Sequence, residues 1–300
     1  MFFELISKSR DFRSRGLLDS ARSAITEAKS LSPQHGALFT EEQFLQLQEY
    51  GLSAGHRGYI SCKSLGSYGR FGNQVCQYFV LRALSLKLNL LPIAPPWLGN
   101  YLFTIPHVGI PGVDLQPIED SLIRQIFSGS LDAINFDISS SLALVDEVRP
   151  WRQILTNDFT LHPQLGFLER ELRSLVGASD VSVSAHLRLG DLFQEGEQRT
   201  SEAERFLTEI RKLKIGGTVF LATDSPDALI PLKLTDYGNI VLAQEMYDRP
   251  NLSWFYDWCL LRVSKLRILN VFSSFSFTSD FLGAFDSITL TLDNDYQRKF

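Results

Sequence analysis

Cysteine is scarce in this chain of 300 residues: Cys62, Cys76 and Cys259 are an odd number, widely spaced, each in an apolar run. That excludes a disulfide framework, and the three read as buried free thiols of a reducing compartment. No C-x-x-C or H-E-x-x-H pattern is present to hold a metal, and no G-x-S-x-G elbow to present a nucleophile. An Asp-x-Asp string occurs only at Asp293 and Asp295, near the C-terminus, where it reads as a solvated turn and not as a Mg²⁺ site. Positive charge is also short, with 29 Lys and Arg against 34 Asp and Glu and a net charge of −5. A broad nucleic-acid surface is therefore not expected, although a local basic pocket is compatible with this balance. No charge-free apolar run approaches membrane-spanning length, and the N-terminal MFFELISKSRDFRSR carries charges where a signal peptide needs an apolar core. The expectation is a cytoplasmic protein without a membrane span, reaching a membrane only through a substrate or a partner.

What is present is globular: 44% hydrophobic and 21% charged residues, over a length that suits two domains or one large domain with an appendage. The first fifty residues read as helices. Gly16, Ala21, Ala28 and Pro33 follow the spacing of half a tetratricopeptide repeat, with Phe12 and Ile25 at further packing positions; a plain helical hairpin fits as well. One such repeat cannot bury its own apolar face, so it needs the following domain or another protein. Thr40 is a candidate cap for a further helix ending near Gly51.

From Tyr59 the pattern becomes α/β. A short strand at 59–62, a glycine-rich loop, a helix at 75–88 and a strand at 90–94 form a βαβ unit. Residues from about 100 to 150 hold several Pro and Gly and show no clear period. A helix is expected at 163–175. Strands at 181–187, 218–222, 240–242 and 266–269 then alternate with helices at 201–213 and 253–263, followed by a loop at 273–276 and a last helix from Ser279. Strands alternating with helices predict parallel, doubly wound sheets. The domain boundaries expected are 1–52 for the helical extension, 53–165 for a first Rossmann-like domain and 166–300 for a second.

Two strings carry the chemistry. In the first, Gly69-Arg70-Phe71-Gly72-Asn73-Gln74, glycines let the backbone approach a ligand and the first N–H groups of the next helix attract anions. Its spacing is neither a dinucleotide fingerprint nor a P-loop, and a tight turn alone would also explain it. Arg70 and Asn73 could each reach a sugar or phosphate. In the second, His186-Leu187-Arg188-Leu189-Gly190-Asp191 closes a strand, so His186 and Arg188 emerge at a carboxyl rim where α/β sheets bind ligands. The Arg188 fork suits a phosphate, though a salt bridge with Asp191 is the alternative. Asp224 either caps the next helix or joins the site. Asp257 lies in an apolar helix, so it reads as a cleft carboxylate able to accept from N1–H and the exocyclic amine of guanine, or as a surface acid. Ser273, Ser274 and Phe275 offer a second phosphate cradle with an aromatic ring for a base or ribose. Trp97, Tyr101, Phe103 and Trp151 could stack on sugar rings or belong to the core.

GRFGNQVCQYFVLRALSLKLNLLPIAPPWLG resembles the N-terminal signature of bacterial α-1,2-fucosyltransferases, and GRFGNQ is shared with protein O-fucosyltransferases. HLRLGD, VFLATDSPDAL and YDWCLLRVSKLRILNVFSSFSF resemble the later motifs of that superfamily, in its order, so the resemblance runs from about residue 58 to 286. It implies a GT-B-like pair of Rossmann-like domains facing across a cleft, GDP-fucose as donor substrate, no cofactor or metal, and inversion at the anomeric carbon. It implies a glycan acceptor, lipid-linked acceptors included, with residues 100–165 lining the acceptor side, and leaves residues 1–50 free for a protein partner. Carried over by position, Arg188 binds the β-phosphate with His186 as its companion. Arg70, Gly72 and Asn73 lie near the donor, Asp257 reads guanine, and Ser273, Ser274 and Phe275 form the nucleotide loop. His186, Arg188 and Asn73 are the catalytic candidates; for a base, Asp191, Glu195 and Glu197 are all near in sequence. The chain departs from the pattern at Leu189, which replaces a second arginine, and in lacking a tryptophan after the S-S-F-S string. A degenerate sugar-nucleotide module with an interaction arm is the alternative function.

Overall fold

The computed structural model describes residues 1–15, 17–35, 37–38, 41–42, 45, 55–105, 115–138, 145–177, 183–190, 196–246, 252–270, 273–283 and 288–292. Gly16, Thr40, Asp191, Glu195, Asp293 and Asp295 lie outside the described residues. The chain divides into two units: Met1–Tyr68, Gln77–Trp97 and Pro106–Arg149 form unit 1, and Gly69–Cys76, Leu98–Ile105 and Pro150–Phe300 form unit 2.

Unit 1 carries a parallel sheet of β1 (Tyr59–Ser61), β2 (Leu91–Ile93), β3 (Gln116–Ile118) and β4 (Phe136–Ile138), in the order β2-β1-β4-β3. β3, β4 and the helix Asp120–Ser128 fall in the region where the sequence shows no period. Three-residue strands are too short for alternation to register. The helices Phe2–Ser14 and Leu18–Leu31 bury Leu5 and Ile6 against Ala21, Ile25 and Ala28. The small residues of the repeat-like spacing thus do sit at a helix crossing. This arm is joined to the sheet by polar contacts. Arg13 Nε donates to the buried Glu41 carboxylate at 2.9 Å, and its Nη1 donates to the Tyr59 hydroxyl at 2.6 Å.

Unit 2 carries five parallel strands, β5 (Val183–Leu187), β6 (Val219–Thr223), β7 (Ile240–Leu242), β8 (Leu266–Leu269) and β9 (Ile288–Thr291), ordered β7-β6-β5-β8-β9. Strand β9 was not expected; among the described residues its run of Ile, Thr, Leu and Thr pairs only with β8, at the sheet's edge. The helix Gly196–Lys212 lays Ala203, Phe206, Leu207 and Ile210 on Val183, Ala185 and Leu187 of the central strand. Leu189 joins this core fully buried, so its side chain does not face solvent. A second apolar cluster stacks Phe71, Phe103, Phe255 and Trp258. Phe103 is therefore core, whereas Tyr101 is exposed.

In unit 2 the chain runs from β5 outward through β6 to β7, then returns to place β8 on the other side of β5. The direction of winding reverses between β5 and β8, which creates a crevice at the strands' carboxyl ends. Among the described residues no helix is long and apolar enough to cross a membrane.

Candidate functional site

A cavity of about 620 Å³ opens at that carboxyl edge, within the usual range for a small-molecule site. All its lining residues belong to unit 2. Of the nine residues singled out from the sequence, eight line it: Arg70, Gly72, Asn73, His186, Arg188, Asp257, Ser274 and Phe275. Ser273 stands just behind, as the cap of the helix that begins with Ser274.

Two expected loops are in fact helix starts. The helix expected at 75–88 begins at Phe71, with the Arg70 carbonyl accepting from the N–H groups of Asn73 and Gln74. The last helix begins at Ser274 and not Ser279: Ser273 Oγ accepts from Ser276 N–H at 3.1 Å, and its carbonyl accepts from Phe277 N–H. Polar Ser-rich strings read as loops because Ser competes for backbone hydrogen bonds, yet the same competition makes Ser a strong cap. The first turns of both helices line the cavity, so two positive dipole ends meet there. They are in close contact. Ser274 Oγ donates to Asn73 Oδ1, and a methyl added at Gly72 would stand 2.5 Å from Phe275 N and 2.7 Å from its Cα. Backbone atoms cannot turn aside, so this approach requires glycine at 72.

Arg70 and Arg188 are the cations among the described lining residues. Arg188 follows β5 directly, half-buried, in a turn held by its neighbours. Asp224 does not cap the following helical turn. Its Oδ1 accepts from Leu189 N–H at 2.8 Å and Gly190 N–H at 3.0 Å, and its Oδ2 accepts from Arg70 Nη1 at 3.2 Å. Burial works to raise the Asp224 pKa, but these two N–H bonds, with His186 and Arg70 nearby, outweigh it and hold the group below its ordinary value. His186 is buried, and its Nδ1 pairs with Ser276 Oγ at 2.6 Å. Burial lowers its pKa to about 4, Asp224 opposing the shift and the two arginines adding to it, so the ring is neutral near pH 7. With Nδ1 engaged, Nε2 is the ring nitrogen left for a ligand.

Asp257 lies on the helix Ser253–Val263, 7% exposed, and its Oδ1 has no hydrogen-bond partner among the described residues. Burial pushes its pKa up to about 8. A buried, unpaired carboxyl is costly, and one on a cavity wall is suited to a ligand's N–H groups. Trp254, one turn earlier, and Phe71, 4.9 Å from it between ring centroids, add an apolar wall. Gly69, Asp224, Thr223 and Leu98 complete the lining. Leu98, Phe71 and Trp254 carry no sequence signal for the site, since no local pattern marks an apolar residue as cavity wall.

Glu197 is exposed on the helix Gly196–Lys212. Cys62, Cys76 and Cys259 are free and buried, and burial pushes their thiols up to about 11, 12 and 12. Among the described residues no group of three or more His, Cys, Asp or Glu is arranged to hold a metal ion.

No protein-family model and no curated protein matches the chain. Solved structures do match in fold. A NodZ alpha-1,6-fucosyltransferase co-crystallized with GDP superposes with a TM-score of 0.53 at 13% identity, over 75% of this chain and 92% of that one. The NodZ fucosyltransferase from Bradyrhizobium gives 0.53 at 12% identity, over 75% and 93%. A point variant of Arabidopsis thaliana FUT1 in complex with GDP gives 0.54 at 10% identity, over 82% and 75%. The two parallel sheets with flanking helices are thus a GT-B-like pair of Rossmann-type domains, with a helical segment added at the N-terminus.

Proposed function

We propose that this protein is a glycosyltransferase that moves fucose from GDP-fucose to a hydroxyl of a glycan, lipid-linked glycans included, with inversion and without a divalent metal. The observation that carries this reading is the convergence of Arg70, Arg188, His186 and two helix N-termini on one cavity, at the crevice of a doubly wound sheet. Such a set of donors suits a diphosphate whose charge grows as it departs. The fold likeness to fucosyltransferases solved with GDP supports the choice of nucleotide. As the acceptor oxygen bonds to the anomeric carbon, the bond from that carbon to the β-phosphate oxygen breaks and its electron pair stays on the phosphate. Arg188 takes that charge through its fork, Arg70 and Asn73 hold the donor, and His186 donates a hydrogen bond as a neutral ring. Ser273, Ser274 and Phe275 enclose the nucleotide. The acceptor loses its proton as the new bond forms, with Asp191, Glu195 and Glu197 the candidates for its base. Residues 53–165, apart from the donor-holding loop at 69–73, serve the acceptor and 166–300 the donor, in the cytoplasm, while the arm of residues 1–50 supports the fold first and docks a protein partner second.

The test is release of GDP from GDP-fucose by the purified full chain with EDTA present, in the presence of a panel of glycans. Transfer is expected to persist in EDTA. Strict dependence on Mn²⁺, or turnover with UDP-sugars alone, overturns the reading.

Asp257 makes the proposal sensitive to pH. Guanine offers two N–H donors, so the carboxyl must be ionised to accept both, whereas in the empty cavity it keeps its proton up to about pH 8. GDP binding near pH 7 is therefore expected to release nearly one proton. Affinity should weaken by about tenfold per pH unit below 8 and level off above it. Calorimetry in buffers of different ionisation enthalpy measures the proton count. Affinity that is flat from pH 6 to 8.5 shows that Asp257 does not read the base.

A further inference from the structure

Two residues to which the proposed mechanism gives no part hold the turn of Arg188 from opposite sides. Strand β6 ends at Thr223 and β8 at Leu269; the residue after each, Asp224 and Asn270, turns its side chain onto the main chain that leaves β5. Asn270, fully buried, accepts from Arg188 N–H through Oδ1 at 2.9 Å and donates through Nδ2 to the Arg188 carbonyl at 2.9 Å. Asp224 accepts the N–H groups of the next two residues, as described above. The register explains the symmetry. Leu187 pairs with Thr223 on one side and His186 with Leu269 on the other, so Asp224 and Asn270 stand where the ladder would have continued. Their side chains extend the sheet's hydrogen bonding past the strand ends, and Leu189 in the core anchors the far side of the turn.

An arginine side chain has many rotatable bonds, and its fork recognises phosphate only from a fixed origin. We propose that Asn270 and Asp224 are positioning residues for Arg188, with Asp224 also setting Arg70 through its second oxygen, so that one carboxylate places both cations of the cavity. Two N–H groups and the Arg70 guanidinium offset much of the Asp224 charge that a phosphate ligand would meet. This inference rests on the cavity being a nucleotide-diphosphate site.

The experiment is a double-mutant cycle read by calorimetry with GDP and with guanosine, on the full chain, Asn270→Ala, Arg188→Ala and the double variant. Asn270→Ala is expected to weaken GDP by about tenfold, since misplacing a contact by a fraction of an ångström costs that much, and to leave guanosine within about twofold. In the Arg188→Ala background it should add no further loss. A purely structural role would weaken both ligands and persist in that background. Additive losses, or equal losses for guanosine, overturn the proposal while leaving the donor reading intact. A parent protein that binds GDP no better than guanosine overturns the donor reading and this inference with it. Should Asn270→Ala fail to fold, Asn270→Asp takes its place: it keeps an acceptor for Arg188 N–H, loses the donor to the carbonyl, and is expected to show the same phosphate-dependent loss.

Discussion

Replacing Arg188 with alanine is expected to cut sugar transfer by on the order of a hundredfold or more, about 3 kcal/mol, while donor affinity falls far less. The asymmetry follows from when the charge appears. In the bound donor the β-phosphate oxygen is still shared with the sugar; as that bond breaks the oxygen gains charge, and a guanidinium already in place is worth most at that moment. Arg188→Lys should rescue little, because an ammonium cannot form two parallel hydrogen bonds to one phosphate. Asp257→Asn should behave differently, weakening GDP with a smaller change in turnover at saturating donor. Single-turnover rates alongside affinities for intact GDP-fucose separate the two. Transfer by a folded Arg188→Ala variant within a fewfold of the parent would mean that the end of β5 is not the donor phosphate site.

Replacing Arg267 with alanine is expected to cost about 3–5 kcal/mol of stability, a large share of a typical domain's total. Arg267 lies on β8 with no exposed surface, and its guanidinium serves two of the helices that line the cavity. Nε donates to the Leu261 carbonyl at 2.5 Å and Nη2 to the Arg262 carbonyl at 3.2 Å, at the C-terminal turn of Ser253–Val263. Nη1 donates to Asp280 Oδ1 at 2.8 Å, near the end of Ser274–Phe281. Truncation strands those carbonyls, unpairs Asp280, which Thr289 Oγ1 also bonds, and leaves a void. Urea unfolding followed by circular dichroism measures the loss, and the melting temperature should fall by roughly 10 °C. A loss below about 1 kcal/mol would show that the cluster is dispensable.

Much of unit 2 was legible in the chain. The strands expected at 240–242 and 266–269 have those bounds, and the helix expected at 253–263 is Ser253–Val263. The strand expected at 218–222 shows as a dense apolar run and the one at 181–187 as an alternation of Val and Ser, which explains why both could be found. Unit 1 was harder, since its three-residue strands carry too little pattern and β3 is mostly exposed. At the site, residue types were legible and their local structure was not. Phe71 and Ser274 begin helices where glycine and serine suggested loops, because N-terminal residues of a helix lack its internal hydrogen bonds and resemble turn sequence.

The residues alone determined which side chains could bind an anion, and placed His186 and Arg188 at a strand's carboxyl end: that follows from one strand's apolar alternation and from the chemistry of a guanidinium. Only the tertiary structure decided that Leu189 belongs to the core and that residues 69–73 and 273–275 meet closely enough to demand glycine at 72. It alone decided that Asp257 is a buried acid whose Oδ1 has no partner among the described residues, and that Asp224 and Asn270 grip the turn of Arg188 from neighbouring strands. The reason is physical. A side chain's chemistry is written in its own residue, and its periodicity in its near neighbours. Burial, the electrostatics that follow from it, and a hydrogen bond across 82 residues depend on what the folded chain sets beside it.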